Sequence, residues 1–180
     1  MSIITKYKSK IATVLVLLFS LTSIYSAPSV SREIMAHQVK KEVSETYQKE
    51  VECMAKNIYH EAASESYEGK LAVAQVTLNR TQNPNYPKDI CGVVYHKTKT
   101  PTNSITCQFS WTCLTGLIVR DKYAWEESLM IAKRALTEPF LHDTIAQTKA
   151  LYYHAVYVNP GWNKTKVVKK IGNHIFYTNI

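Results

Sequence analysis

Apolar positions along the chain change their spacing several times, and each change marks an element. Met35, Val39, Val43, Tyr47 and Val51 recur every four residues in a segment that is otherwise polar and mixed in charge. That spacing fits a peripheral helix or a linker over 28–50. From Val51 the pattern tightens. Val51, Met54, Ala55, Ile58 and Tyr59 share one face of a helix, and Glu61 falls near its end. The following stretch is small and polar, with Ser66 placed to cap a second helix and Glu68 in its first turn, where the helix dipole favours an acid. Leu71, Ala72, Val73, Ala74, Val76 and Leu78 then run apolar almost all round, which predicts a buried helix that Asn83-Pro84 stops.

Residues 83–121 hold Pro84, Pro87, Gly92, Pro101 and Gly116 and read as a loop-rich region with room for a short hairpin. Asp121 can cap a further helix with Trp125, Leu129, Ala132 and Leu136 on one face and Pro139 to end it. The tail carries two short β-like runs, Ala150 to Val158 and His174 to Tyr177, with Pro160-Gly161 as a turn between them. Helices first and short strands late predict a mixed α+β domain over 51–180.

Composition narrows this further. The 180 residues are 46% hydrophobic and 20% charged, enough for one domain with a core and against wholesale disorder. The net charge of +8 is a modest bias toward polyanionic partners and selects none of them. No phosphate-binding loop, dinucleotide glycine fingerprint or repeat is present. Lys6, Lys8 and Lys10 precede an uncharged run from Ile11 to Ala27 whose centre is strongly apolar. Residues 1–27 therefore read as a secretory signal or a retained membrane anchor, and either takes the rest of the chain out of the cytosol. Cutting after Ala27 puts Tyr25 three positions back and cutting after Ser26 puts Ile24 there, so neither site has the small-x-small form.

Export makes two disulfides the expected use of Cys53, Cys91, Cys107 and Cys113, and spacing leaves all three pairings open. No two of these cysteines have the short separation of a structural zinc knuckle. His60-Glu61 looks like half of a zinc-peptidase helix, but the position for the second histidine is Ser64. The histidines at 37, 96, 142, 154 and 174 are scattered, and Ser110 lacks the glycines of a nucleophile elbow.

The remaining chemistry lies in carboxylates and aromatics. A carboxyl at the end of a buried helix has its charged form disfavoured and can hold a proton near neutrality, which suits Glu61 to donate to a glycosidic oxygen. Glu65 would share a face with it if the helix continued. Phe109, Trp111, Tyr152, Tyr153, Tyr157 and Trp162 lie in loop or strand segments beside Gln108, Ser110, Asn159 and Asn163. Aromatic faces with nearby polar groups suit sugar rings, although most such residues fill cores.

The run Cys53-Met-Ala-Lys-Asn-Ile-Tyr-His-Glu-Ala62, then Glu65, then Gly69-Lys-Leu-Ala-Val-Ala-Gln-Val-Thr-Leu-Asn-Arg80 resembles the SleB/CwlJ-type cell wall hydrolases. Tyr86-Pro87, Ile90-Cys-Gly-Val-Val-Tyr95, Gln108-Phe-Ser-Trp111 and Gly172-Asn-His-Ile-Phe-Tyr177 follow in that family's order. The resemblance covers about residues 51 to 178. It implies a mostly helical, lysozyme-like α+β domain with a small β lobe and a cleft between the lobes. It implies cleavage of peptidoglycan between N-acetylmuramic acid and N-acetylglucosamine, with Glu61 in the position of the catalytic glutamate. Members that are lytic transglycosylases use one glutamate as acid and then base, and the sugar's own 6-hydroxyl attacks. A two-carboxylate scheme with Glu65 as partner stays open.

Two departures from the family stand beside Glu61. His60 occupies a position that is often glycine, and Ala63-Ser64 replace an Arg-Gly pair. Around the catalytic Glu61, the cleft is expected to use Glu65, Gln108, Phe109, Ser110, Tyr153, His154 and Trp162. The expected partner is the peptidoglycan glycan strand, acted on by a monomer with no metal, cofactor or nucleic acid, and with membrane attachment only through the N-terminus. Two rival readings are a muramoyl-alanine amidase, which would need a metal-ligand set the sequence does not offer, and a non-catalytic wall-binding module.

Overall fold

The structure is a computed structural model that describes residues 3–138, 149–161 and 166–178, with side chains described from residue 30 onward. Trp162, Asn163, His142 and Pro139 lie outside the described residues. The chain divides into two compact units, residues 1–46 and 47–180. Helix α1 runs Ile3–Ala62. In the first unit the described positions 30–46 are all exposed, so the four-residue apolar stripe that begins at Met35 and Val39 is helical but uncovered there. Among the described residues no helix is long and apolar enough to cross a membrane, and the apolar run before Ala27 lies where side chains are not described.

The second unit holds the α+β domain. Helix α2 (Tyr67–Gln82) starts where Ser66 accepts from the Gly69 backbone N–H at 3.3 Å and ends at Asn83. Its apolar sequence is explained by burial on nearly every side, from Gly69 to Thr77 and again at Asn79 and Arg80. Helix α3 (Ile90–Val94) is capped by Asp89, and α4 (Lys122–Thr137) by Asp121. The main core joins Val51, Met54, Ala55 and Ile58 of α1 to Leu71 and Ala74 of α2, Ile90 and Val94 of α3, Phe109, and Ile131, Ala132 and Ala135 of α4. Lys70, buried on α2, pairs with Glu127 of α4 at 2.5 Å.

Two small sheets complete the domain. Strands β1 (Lys97–Lys99) and β2 (Ile105–Cys107) form the hairpin, followed by a 3-10 turn at Ser110–Cys113. Strands β3 (Tyr152–Ala155), β4 (Val167–Ile171) and β5 (His174–Tyr177) form an antiparallel sheet in the order β3-β5-β4. The sheet closes a second core in which Phe176 and Ala150 meet Ala72 and Val76 of α2. Two buried side chains of α2 fix the sheet to the helices. Asn79 donates to the Ala150 carbonyl at 2.9 Å, and Arg80 Nε donates to the Leu151 carbonyl at 2.8 Å. The disulfides pair Cys53 with Cys91, tying α1 to α3, and Cys107 with Cys113, tying β2 to the 3-10 turn.

Candidate active site

The buried face of α1 carries Glu61 to the helix end, where the chain breaks into the Ala63–Ser66 turn. Across from it, β3 presents Tyr153, whose hydroxyl donates to Glu61 Oε2 at 3.0 Å. Burial raises the Glu61 pKa above the ordinary carboxylate value. The Tyr153 hydrogen bond and the charge of Arg80 act the other way and offset part of that rise. Burial, followed by the nearby Glu61 charge, lifts the phenol of Tyr153 well above its usual range, so it stays a donor.

Arg80 is the third member of this group. It is 4% exposed, at the end of α2, with its guanidinium carbon 5.5 Å from the Tyr86 ring centre and 5.2 Å from that of Phe109. Its Nη1 is buried without a hydrogen-bond partner. The arrangement sets one carboxyl in partly desolvated surroundings, holds one of its oxygens with a neutral donor, and places a fixed cation nearby. Such a carboxyl keeps its proton to higher pH than an ordinary one and can also give it up.

Glu65 has a different setting. It is buried, and both of its oxygens accept from Asn173: Oε2 from the backbone N–H and Oε1 from the side-chain amide, each at 3.0 Å. Asn173 lies in the β4–β5 turn, where Gly172 has φ +54° and a Cβ would overlap Glu65 Oε2. The carboxylate of Glu65 therefore serves as the seat of a hairpin.

The other expected cleft residues divide by strand and loop position. Tyr153 and His154 are neighbours on β3 and so point to opposite faces. His154 turns to the Tyr177 side, with Nε2 at 2.8 Å from the Tyr177 hydroxyl and the rings stacked 5.4 Å apart. Phe109 is buried beneath Arg80. Ser110 is exposed at the start of the 3-10 turn, and Gln108 is half-buried with its backbone N–H on the His96 carbonyl. Trp111 donates from Nε1 to Asn57 Oδ1 at 3.3 Å and stacks on His60 at 4.5 Å.

Sequence reasoning quoted Arg80 within a motif and gave it no role, and it did not single out Asn57. For Arg80 the available signal was a cation inside an otherwise apolar, all-round buried helix, and for Asn57 an amide one residue before Ile58 on the apolar face of α1. Among the described residues no three His, Cys, Asp or Glu side chains converge as a metal site.

The Cell Wall Hydrolase family model matches residues 64–177, beginning just after Glu61. The spore cortex-lytic enzyme of Halalkalibacterium halodurans is 27% identical over 128 residues, covering 71% of this chain and 34% of that enzyme. The spore cortex-lytic enzyme of Bacillus subtilis is 27% identical over 134 residues, covering 71% and 37%. The chain thus spans little more than a third of the length of these relatives. The crystal structure of the catalytic domain of the Bacillus cereus SleB protein superposes with a TM-score of 0.51 at 27% identity, covering 73% of this chain and 91% of that one. The catalytic domain of the germination-specific lytic transglycosylase SleB from Bacillus anthracis gives 0.53 at 26% identity, covering 73% and 95%. The mixed helix-and-sheet, lysozyme-like architecture expected from the sequence is the one these domains share.

Proposed function

The chain belongs to the Cell Wall Hydrolase family, and from that premise we propose that it cuts peptidoglycan glycan strands with Glu61 as its single acid–base group. The observation that carries this is the carboxyl of Glu61, held by Tyr153 at the end of a buried helix with its pKa raised by desolvation. In the first step the protonated Glu61 gives its proton to the glycosidic oxygen, and the bond to the muramic C1 breaks. Glu61, now a carboxylate, takes the proton from the 6-hydroxyl of the same sugar as that oxygen bonds to C1. The product is a 1,6-anhydro end, and the glutamate is again protonated.

Glu65 is not the second carboxylate in this scheme, because both its oxygens are engaged by Asn173. Gln108, Ser110 and Trp162 are the groups proposed to touch sugar. Phe109 and His154 support Arg80 and the β5 strand from behind. Residues 1–27 act as the leader or anchor that takes the chain to the wall, where it works as a monomer.

The test is the full chain on bacterial peptidoglycan, with soluble products read by mass spectrometry and Glu61→Gln alongside. Anhydromuramic ends that vanish in the variant are expected. Products heavier by one water would replace the anhydro step with hydrolysis. Full activity in a folded Glu61→Gln protein, or freed stem peptides on intact glycan, would sink the reading.

A further inference from the structure

A cavity of about 240 Å³ has one wall on the last turns of α1, ending at His60, the residue before Glu61. Its α1 wall is Lys56 and His60, one helical turn apart, and its other walls include Trp111, Tyr95, Leu117 and Val119. The floor is a fixed aromatic platform. His60 stacks on Trp111 at 4.5 Å and 27°, and Tyr95 meets Trp111 edge-on at 5.8 Å. Trp111 cannot swing freely, because Asn57 accepts from its Nε1 and itself donates to Thr77 Oγ1 at 3.1 Å.

The chemistry of the walls selects a ligand. Leu117 and Val119 are 46% and 40% exposed, apolar surface on the loop between the 3-10 turn and α4. Among the described residues no acid lines the cavity, and Lys56 supplies its ammonium. The ammonium of Lys56 lies 2.7 Å from Glu52 Oε1 in a pair whose side chains are 37% and 57% exposed. Exposed pairs of this spacing are weak, so Lys56 can exchange Glu52 for another carboxylate. Burial, then the Lys56 charge, lowers the pKa of His60, which keeps the ring neutral as a stacking surface. Flat rings for amide planes, aliphatic walls for methyl groups and one ammonium for a free carboxylate describe a short acyl-peptide chain.

We propose that this cavity holds the peptide stem of the muramoyl residue being cut, its carboxylate on Lys56 and its amides on the His60–Trp111 stack, so that peptide-bearing glycan is preferred over bare glycan. The proposal rests on the glycan-cutting reading above. It adds a specificity-determining role for Lys56, His60 and Leu117. His60 and Glu61 are consecutive in α1, so the cavity wall and the proposed acid share one helix end.

The experiment compares KM and kcat of the full chain on peptide-bearing glycan and on the same glycan stripped of its stems by an amidase. The stripped substrate is expected to have a KM about tenfold higher at similar kcat, in line with a charge-assisted hydrogen bond. Lys56→Gln should bring the two KM values together. Leu117→Asp, at an exposed position that does not threaten the fold, should do the same by repelling the carboxylate. A separate arm titrates N-acetylmuramoyl-L-alanyl-D-glutamate into isotope-labelled Glu61→Gln protein and follows the His60 and Trp111 ring signals, with chitobiose as the sugar control. Ring shifts with the glycopeptide alone support the cavity. Equal shifts with chitobiose would overturn the peptide assignment in favour of a sugar subsite. Cleavage with no KM preference and no ring shift would overturn the cavity and leave the activity standing. Ring shifts in a protein that cuts no glycan would do the reverse.

Discussion

Two glutamates four positions apart show how little of a role is set by residue type. Glu61 ends α1 with a phenol on one oxygen and a buried cation nearby, and its protonated form is favoured by burial. Glu65 sits in the next turn with both oxygens taken by Asn173 and a glycine turn pressed against it. One is left chemically unfinished and the other is saturated. The saturated acid holds the β4–β5 hairpin, and that hairpin pairs with the β3 strand that carries Tyr153. On the proposed function, the two acids divide labour between reacting and holding.

The largest effect that could break this comparison comes from exchanging the two acids for their amides. Glu61→Gln is expected to lower the rate by about a thousandfold, with a melting temperature near that of the parent. Glu65→Gln is expected to do the opposite. It loses one acceptor for two donors, a cost of roughly 1–3 kcal/mol, seen as a melting temperature lower by several degrees, with most activity kept below that temperature. Equal loss of rate in two stably folded variants would return Glu65 to the chemistry.

Next in size is Gly172→Ala. A left-handed φ of +54° costs a non-glycine residue about 1–2 kcal/mol, and the added methyl group must displace the Glu65 carboxylate. Denaturant unfolding should show a loss at least that large. In Glu65→Ala the clash disappears, so the combined variant should be more stable than the two single losses added together. Simple additivity would mean that the hairpin does not rest on Glu65.

Tyr153→Phe is expected to have the smallest effect on the reacting acid. The phenol stabilises the charged form of Glu61, so its loss raises the Glu61 pKa further. Because the first step needs the protonated acid, the alkaline limb of the kcat/KM profile should move to higher pH. A shift to lower pH, or none, would show that Tyr153 does not act on Glu61.

Much of this was legible from local pattern. The Ser66 and Asp121 caps, the all-round apolar α2 and the cysteine-pinned hairpin followed from spacing and turn chemistry. So did the placement of Glu61 at the end of a buried helix face. Other elements were hidden for physical reasons. Helix α3 has five residues, too few for a helical period to show, and lies just past Pro87. Strand β4 is Val-Val-Lys-Lys-Ile with a bulge after Val167, and its two lysines interrupt the alternation that marks a strand. Arg80 looks like a cation complementing the end of α2, and only the folded domain reveals that it is buried over the rings of Tyr86 and Phe109. The role of Glu65 depends on Asn173, so no local window could hold it. Strand alternation, by contrast, was available from sequence and already separates Tyr153 from His154.

The partners of the two acids come late in the chain. Tyr153 is 92 positions after Glu61, and Asn173 is 108 after Glu65. Closing spans of this size is entropically slower than winding the helices that precede them. During synthesis both glutamates leave the ribosome long before the residues that complete them, and a half-made chain has no finished site. The same order gives proteolysis a simple hold over the molecule: one cut that removes the last strands would leave the helices with their disulfide between Cys53 and Cys91 while stripping Glu61 of its donor.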